Sequence, residues 1–509
     1  MALPSGVFCG PSAGFLTIHA ARLLVSAMMD LRPVLHILGL ILATLGLTML
    51  APMGLDLLRN DPNWRAFFEA AMETTLTGVL LAIASRSVTP QGLAVRQAYL
   101  LTAGIWVLLP LFAAFPFMQG APYATFTDAY FEAASGITTT GSSVFPGLED
   151  LPPGVVLWRG MLNWMGGLGI AFVAMIFLPV MRIGGMQFFR TEGFDTLGKI
   201  LPRARDIASA LLSVYVGLTL LFGITYAALG MSGFEALIHA MSTISTGGFS
   251  TSDASFAAFS GPEEYAGTLF MLLSAVPFIR FAQLARGSVQ PIWQDAQVRG
   301  LLRWFAYATA VVMTWRLMRT EVSFEPALRE TLFNLSSIMT GTGFGSANVA
   351  TWGAFPVVVL FIVGMIGGCT GSSSGSLSVF RWQALGAAIR ASVQQLHSPH
   401  RLVVPRYDGK TLGDDVLNPL MMYFTGYILT LGTLSVLVST TGVDMTSSLF
   451  AVWTSLGNIG FGLGPMTVRT GTMVDFNDTA TWVMTLAMLL GRLGMLAILV
   501  VFLPRFWRG

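Results

Sequence analysis

Four glycine-centred turns hold the residues in this chain best suited to chemistry, and that chemistry is the stripping and holding of a cation. They are Thr139-Thr140-Gly141, Ser245-Thr246-Gly247, Gly341-Thr342-Gly343 and Asn458-Ile459-Gly460. Each closes an apolar stretch, with a large apolar residue (Phe131, Leu237, Phe333, Phe450) ten positions before the final glycine. Glycine permits the left-handed or extended backbone that aims successive carbonyls at one axis. Rings of carbonyls replacing a hydration shell are the known solution for potassium. Thr140, Thr246 and Thr342 precede three of the glycines and would add hydroxyl oxygens or hold the turn. In the fourth copy Ile459 takes that place after Asn458, so backbone oxygen is expected to dominate there. Small residues also recur wherever membrane helices pack. Packing accounts for Gly166, Gly167 and Gly169, but not for four turns at one register.

Such turns need helices that deliver them to membrane depth. Mean hydropathy is +0.69, and 54% hydrophobic against 11% charged residues marks a polytopic membrane protein. Soluble chains carry about 25% charged residues. Apolar spans are expected at 34–57 and 66–86. Four groups then read span, half-span, glycine turn, span. They are 97–118, 126–138 and 153–181; 207–230, 234–245 and 263–286; 300–319, 326–339 and a broken 353–393; 416–440, 446–457 and 476–504. A half-span of about twelve residues covers only about 18 Å of a hydrocarbon core about 30 Å thick, so it must re-enter and leave on one side. The expected fold is an all-α integral membrane protein: two N-terminal helices, then four pseudo-symmetric helix–pore loop–helix units around one central pore. Its divisions are an N-terminal extension at 1–28, two additional helices at 29–90, and pore units at 91–190, 191–293, 294–410 and 411–509. The extension reads as a stretch upstream of a start at Met28 or Met29, or as a disordered tail, with a signal peptide as the other reading.

Charge sets direction. Basic clusters join the units: Arg182, Arg190, Lys199, Arg203 and Arg205; Arg280, Arg286, Arg299 and Arg303; Arg381, Arg390, Arg401, Arg406 and Lys410. The positive-inside rule makes these joins cytoplasmic. Segments around the turns lean acidic (Glu149, Asp150, Asp253, Glu263, Glu264, Asp475, Asp478), so the turns open outward. Arg316, Arg319 and Arg469 break this pattern without reversing it.

Other functions find little support. Net charge is +2 with no basic stripe, which argues against nucleic acid. Cys9 and Cys369 form no disulfide framework or metal spacing. There is no paired-carboxylate site or nucleophile constellation, so no enzyme is indicated. No Walker-type loop is present, and nucleotide control would have to come through a partner.

Two features break the fourfold repetition. Gly367-Gly368-Cys369-Thr370-Gly371-Ser372-Ser373-Ser374-Gly375 interrupts the third return span. Nine small or polar residues make a poor lipid-facing helix, leaving an intramembrane loop or a kink filled by neighbours. Arg492 lies deep in the fourth return span, where a charge normally faces a cavity or a partner. His239 reads as a packed polar residue, Glu132 and Glu235 as candidates for shaping the outer field, and 390–410 as a solvated basic loop.

The turns, with Ile137-Thr-Thr-Thr-Gly141, Ile244-Ser-Thr-Gly-Gly-Phe249, Met339-Thr-Gly-Thr-Gly-Phe344, Gly367-Gly-Cys-Thr-Gly-Ser372, Asn163-Trp-Met-Gly-Gly-Leu-Gly169 and Gly184-Gly-Met-Gln187, resemble the Trk/Ktr/HKT superfamily of potassium transporters. The closest likeness is to its TrkH-type membrane subunit, from about residue 30 onward. The resemblance implies potassium as the transported ion, held at Thr140, Gly141, Thr246, Gly247, Thr342, Gly343, Ile459 and Gly460, with no organic cofactor in this chain. It implies a homodimer in the lipid of a bacterial inner membrane, joined to a cytosolic ring of TrkA-type nucleotide-binding subunits. It also makes 367–375 a gating loop under the filter, and Arg492 a barrier to cations in the pore. Serine for the first filter glycine goes with sodium in this superfamily, so four glycines favour potassium. A sodium-selective, or sodium- or proton-coupled, cation carrier is the competing reading.

Overall fold

Apolar length decides the long helices of the computed structural model, which describes residues 30–86, 94–172, 204–400, 403–468, 471–494, 500 and 503–507. Arg32–Leu58, Trp64–Ala84, Val95–Gln119, Ala208–Leu229 and Asp414–Ser439 are each long and apolar enough to cross a bilayer. A small hairpin, Arg406–Tyr407 against Lys410–Thr411, is the sheet found among the described residues. The expected extension at 1–28, and Arg182, Arg190, Lys199, Arg203, Arg401 and Arg469, lie outside those residues.

Four shorter helices, Phe126–Ile137, Gly233–Ile244, Phe324–Thr340 and Met445–Leu456, end at the glycine turns. Three of their starts are set by side chains that satisfy free amides. Thr125 accepts from the Asp128 amide at 3.3 Å and Asp444 from the Ser447 amide at 2.9 Å. Ser232 and Glu235 cap each other's backbone reciprocally. The third half-helix, following Ser323, is 17 residues long where the others have 12. Behind these ends lies the apolar core, in which Phe131, Trp158, Ile238, Phe333 and Trp453 are fully buried.

The second return span, expected as one helix over 263–286, is instead broken. Pro262–Ser274 and Phe278–Leu284 meet at 96°. Pro277 cannot donate within a helix and clashes with the preceding turn. The groups freed there find the third unit: Cys369 donates to the Ala275 carbonyl at 2.9 Å, and Phe278 donates to the Gly371 carbonyl at 3.1 Å. The third return span is Ala354–Ile366 and Val379–His397 with non-helical chain between them.

Of the three glycines expected to serve packing, Gly166 and Gly167 lie against the Ile137 carbonyl and Ser245, leaving no room for a methyl group. Gly169 faces open space among the described residues, which corrects that expectation. Gly166→Ala should therefore lower stability by about 1–3 kcal/mol through overpacking. Gly169→Ala should be at least as stable as the parent, because alanine favours the helix. Thermal unfolding of the purified protein in detergent checks both.

Candidate ion pathway

The end of each half-helix folds in the same way. Thr140, Gly247, Thr342 and Ile459 donate their amides to the carbonyls of Ser135, Ser242, Ser337 and Thr454, all at 2.8 Å. The residue before each is left-handed: Thr139 (φ 52°), Thr246 (φ 50°), Gly341 (φ 76°) and Asn458 (φ 49°). The residue after each is a left-handed glycine: Gly141 (φ 85°), Gly248 (φ 73°), Gly343 (φ 82°) and Gly460 (φ 79°). Left-handed residues on either side of an ordinary one turn successive carbonyls toward the same side, whereas a strand alternates them.

This pattern corrects the register of the second turn. Gly248, not Gly247, matches Gly141, Gly343 and Gly460, while Gly247 matches Thr140. The buried apolar residue ten positions earlier is accordingly Ile238, whereas Leu237 is 40% exposed. Two sequence signals carry the true register. Phenylalanine follows Gly248, Gly343 and Gly460, and the caps Thr125, Ser232 and Asp444 each stand sixteen residues before Gly141, Gly248 and Gly460.

The four turns close head to tail. A methyl group on Gly141 would strike the Gly247 carbonyl, and one on Gly248 the Thr342 carbonyl. One on Gly343 would strike the Ile459 carbonyl, and one on Gly460 the Thr140 carbonyl. Glycine is thus required twice over, by backbone angle and by the carbonyl of the adjoining turn. Ring glycines floor a cavity of about 540 Å³ that is also lined by Ser142, Phe249 and Phe461.

Threonine hydroxyls hold the turns. Thr140 and Thr342 pair with Thr138 and Thr340 at 2.7 Å. Thr246, one place earlier in its turn, donates to the Ser245 carbonyl at 2.7 Å and meets the Ser373 hydroxyl at 3.3 Å. Asn458 ties the fourth turn to the first, donating to the Thr140 hydroxyl at 2.9 Å and to the Met488 carbonyl at 3.0 Å. The Ile459 side chain is fully buried beside Gly364 and Gly457, so its carbonyl is what it offers the ring.

Beneath the ring, residues 367–375 form a loop folded on itself. Gly367 (φ 75°) packs against the Gly375 carbonyl, Gly368 donates to the Ser374 hydroxyl at 2.8 Å, and the Ser372 hydroxyl donates to the Cys369 carbonyl at 2.7 Å. The Thr370 amide donates to Gln297 at 2.8 Å. The loop's serines address the half-helix ends. Ser373 donates to the Ile244 carbonyl at 2.9 Å and Ser374 to the Thr340 carbonyl, while Ser376, next along the chain, shares its hydroxyl proton between the Gly364 carbonyl at 2.7 Å and the Gly457 carbonyl at 3.1 Å.

Arg492 completes the set. One guanidinium nitrogen, Nη2, donates to the Thr139 hydroxyl and to the Ser373 carbonyl, each at 2.6 Å. No carboxylate among the described residues pairs with it. It lines, with Cys369, Thr370, Gly371, Ser372 and Arg381, an inner cavity of about 80 Å³. Glu132 does not shape an outer field as expected; its carboxylate is fully buried against Arg159 at 2.7 Å. Glu235 caps its own helix, and His239 is a buried, hydrogen-bonded residue.

The profile of the TrkH cation transport proteins matches residues 64–508. The chain belongs to the TrkH family. TrkI of Halomonas elongata, a Trk system potassium uptake protein, is 35% identical over 94% of this chain and 97% of its own length. The TrkH potassium uptake protein of Vibrio parahaemolyticus is 34% identical over 94% of this chain and 100% of its own. The crystal structure of the potassium transporter TrkH from Vibrio parahaemolyticus aligns with TM-score 0.87, covering 94% of this chain and 100% of that one. These TrkH relatives are named as transporters rather than enzymes. With its apolar helices, this TrkH-family chain is a multi-pass inner-membrane protein.

Removing a loop serine leaves a buried half-helix carbonyl short of a donor. Ser373→Ala should cost about 1–3 kcal/mol. Thermal unfolding of the purified protein checks this, with exposed Ser439→Ala expected to have no measurable effect.

Proposed function

We propose that this chain is the ion-conducting subunit of a bacterial potassium uptake system, passing potassium inward through the four-turn ring. The observation that carries the reading is the closed ring itself, in which each glycine abuts the carbonyl of the adjoining turn. Carbonyls of Thr140, Gly247, Thr342 and Ile459 form one square of oxygens, with Gly141, Gly248, Gly343 and Gly460 above it and Thr139, Thr246, Gly341 and Asn458 below. Such squares replace the hydration shell of a potassium ion. Glycine at all four ring positions, and relatives named as potassium uptake proteins, support that ion over sodium.

The 367–375 loop and Arg492 are the gate. They occupy the side of the ring opposite the wide cavity, at the negative ends of the half-helix dipoles. A guanidinium there fills the position a dehydrated cation would otherwise favour, and repels one arriving. The wide cavity faces outward, and the basic joins face the cytoplasm. On that cytoplasmic side the chain takes TrkA-type nucleotide-binding subunits, as a homodimer.

The test is growth of a potassium-uptake-deficient strain at low external potassium, with isotope flux of potassium and competing sodium. The parent should restore growth. Gly141→Ser and Gly248→Ser should both lower the preference for potassium over sodium, since a β-carbon displaces the adjoining carbonyl. Retention of the parental ratio by both serine variants would overturn the filter assignment. Arg492→Ala should raise potassium flux; unchanged or lower flux at equal surface expression counts against a barrier.

A further inference from the structure

Nine residues before the ring glycines stand Glu132, His239, Asn334 and Ala451. The three polar ones reach the chain that leaves their own turn. Asn334 holds Ser346, accepting from its amide at 3.1 Å and donating to its hydroxyl at 2.9 Å. His239 holds Ser250: Nδ1 faces the Glu235 carbonyl at 2.8 Å and so carries the proton, leaving Nε2 to accept from the Ser250 hydroxyl at 3.1 Å. Glu132 accepts from the Ser143 hydroxyl at 2.9 Å and the Val144 amide at 3.0 Å.

Glu132 goes further than the other two. Its carboxylate also accepts from Arg159 Nε at 2.7 Å, and both side chains are at most 1% exposed. Arg159 then reaches the second turn, donating to the Ser250 carbonyl at 3.2 Å while its guanidinium lies 4.2 Å from the Phe249 ring centre. Burying such a pair carries a large desolvation cost, and an apolar pair would often hold helices together as well. What an apolar pair cannot do is direct donors and acceptors to backbone groups on two different turns.

We propose, resting on the filter reading above, that Glu132 is a specificity-positioning residue. Through Arg159 it clamps the exits of the first and second turns together, and the clamp fixes the spacing of ring carbonyls that favours potassium over the smaller sodium ion. The fourth turn, with Ala451 at this position, is tied to the first by Asn458 instead.

The experiment is isotope flux of potassium and sodium through the purified full-length protein in liposomes. Glu132→Gln should lower the potassium-to-sodium flux ratio by about tenfold, and Glu132→Asp should restore most of it. Because Glu132→Gln strands a buried guanidinium, two further variants guard against loss of folding. Glu132→Gln with Arg159→Gln removes both charges and should lose selectivity similarly. Ser143→Ala removes one hydroxyl and should lower the ratio by about threefold. Glu325→Gln, in a surface ion pair with Arg329, should leave the ratio unchanged.

Parental ratios in both the double variant and Ser143→Ala would overturn the proposal. If Gly248→Ser alters the ratio in the same liposomes while those variants do not, the clamp fails and the filter stands. If Gly248→Ser has no effect either, the filter reading has failed.

Discussion

A helix that ends inside a membrane leaves its last carbonyls without intrahelical partners, and hydrocarbon supplies none. Four such ends meet in this protein, and much of the rest is arranged to satisfy them. Serines 373 and 374 donate to the ends of the second and third half-helices, and Ser376 shares its proton between the Gly364 carbonyl and the end of the fourth. At the first, Arg492 donates to the Thr139 hydroxyl two residues past the helix. One polar segment therefore has to lie under three turns at once, with Arg492 at the first. That requirement accounts for a run of glycine and serine within an apolar return span, where a continuous helix could not offer its hydroxyls inward.

The long spans and the half-helices are legible because apolar length and capping residues are local signals. Thr125, Ser232 and Asp444 announce helix starts, and the apolar run after each is too short to cross a bilayer. The second turn shows where local pattern becomes ambiguous. A Gly247-Gly248 doublet preceded by Leu237-Ile238 satisfies two registers equally well in apolarity, and the register shows only in the following Phe249, the cap at Ser232 and the burial of Ile238 rather than Leu237. Pro277 is visible in the sequence, but the hydropathy runs through it. What makes a sharp bend there sustainable is a partner almost a hundred residues away, at Cys369 and Gly371. The Glu132–Arg159 pair hides for a related reason: a carboxylate near a pore mouth reads as an exposed charge until its buried partner is known.

Loop and arginine are not independent parts. The same nitrogen of Arg492 serves Thr139 and the Ser373 carbonyl, so any movement that withdraws the loop also removes half of the arginine's anchorage. The loop in turn is bonded to the broken second-unit helix through Ala275 and Phe278, and to Gln297 at the start of the third unit. On the gating reading, clearing the path means breaking contacts to three half-helix ends, and each carbonyl released must find another donor or a cation. In the closed arrangement those carbonyls, at Ile244, Thr340 and Gly457, lie one step below the ring and are met by Ser373, Ser374 and Ser376. A force applied through the bent helix reaches the loop directly by way of Ala275 and Phe278, and from the loop it bears on three helix ends at once.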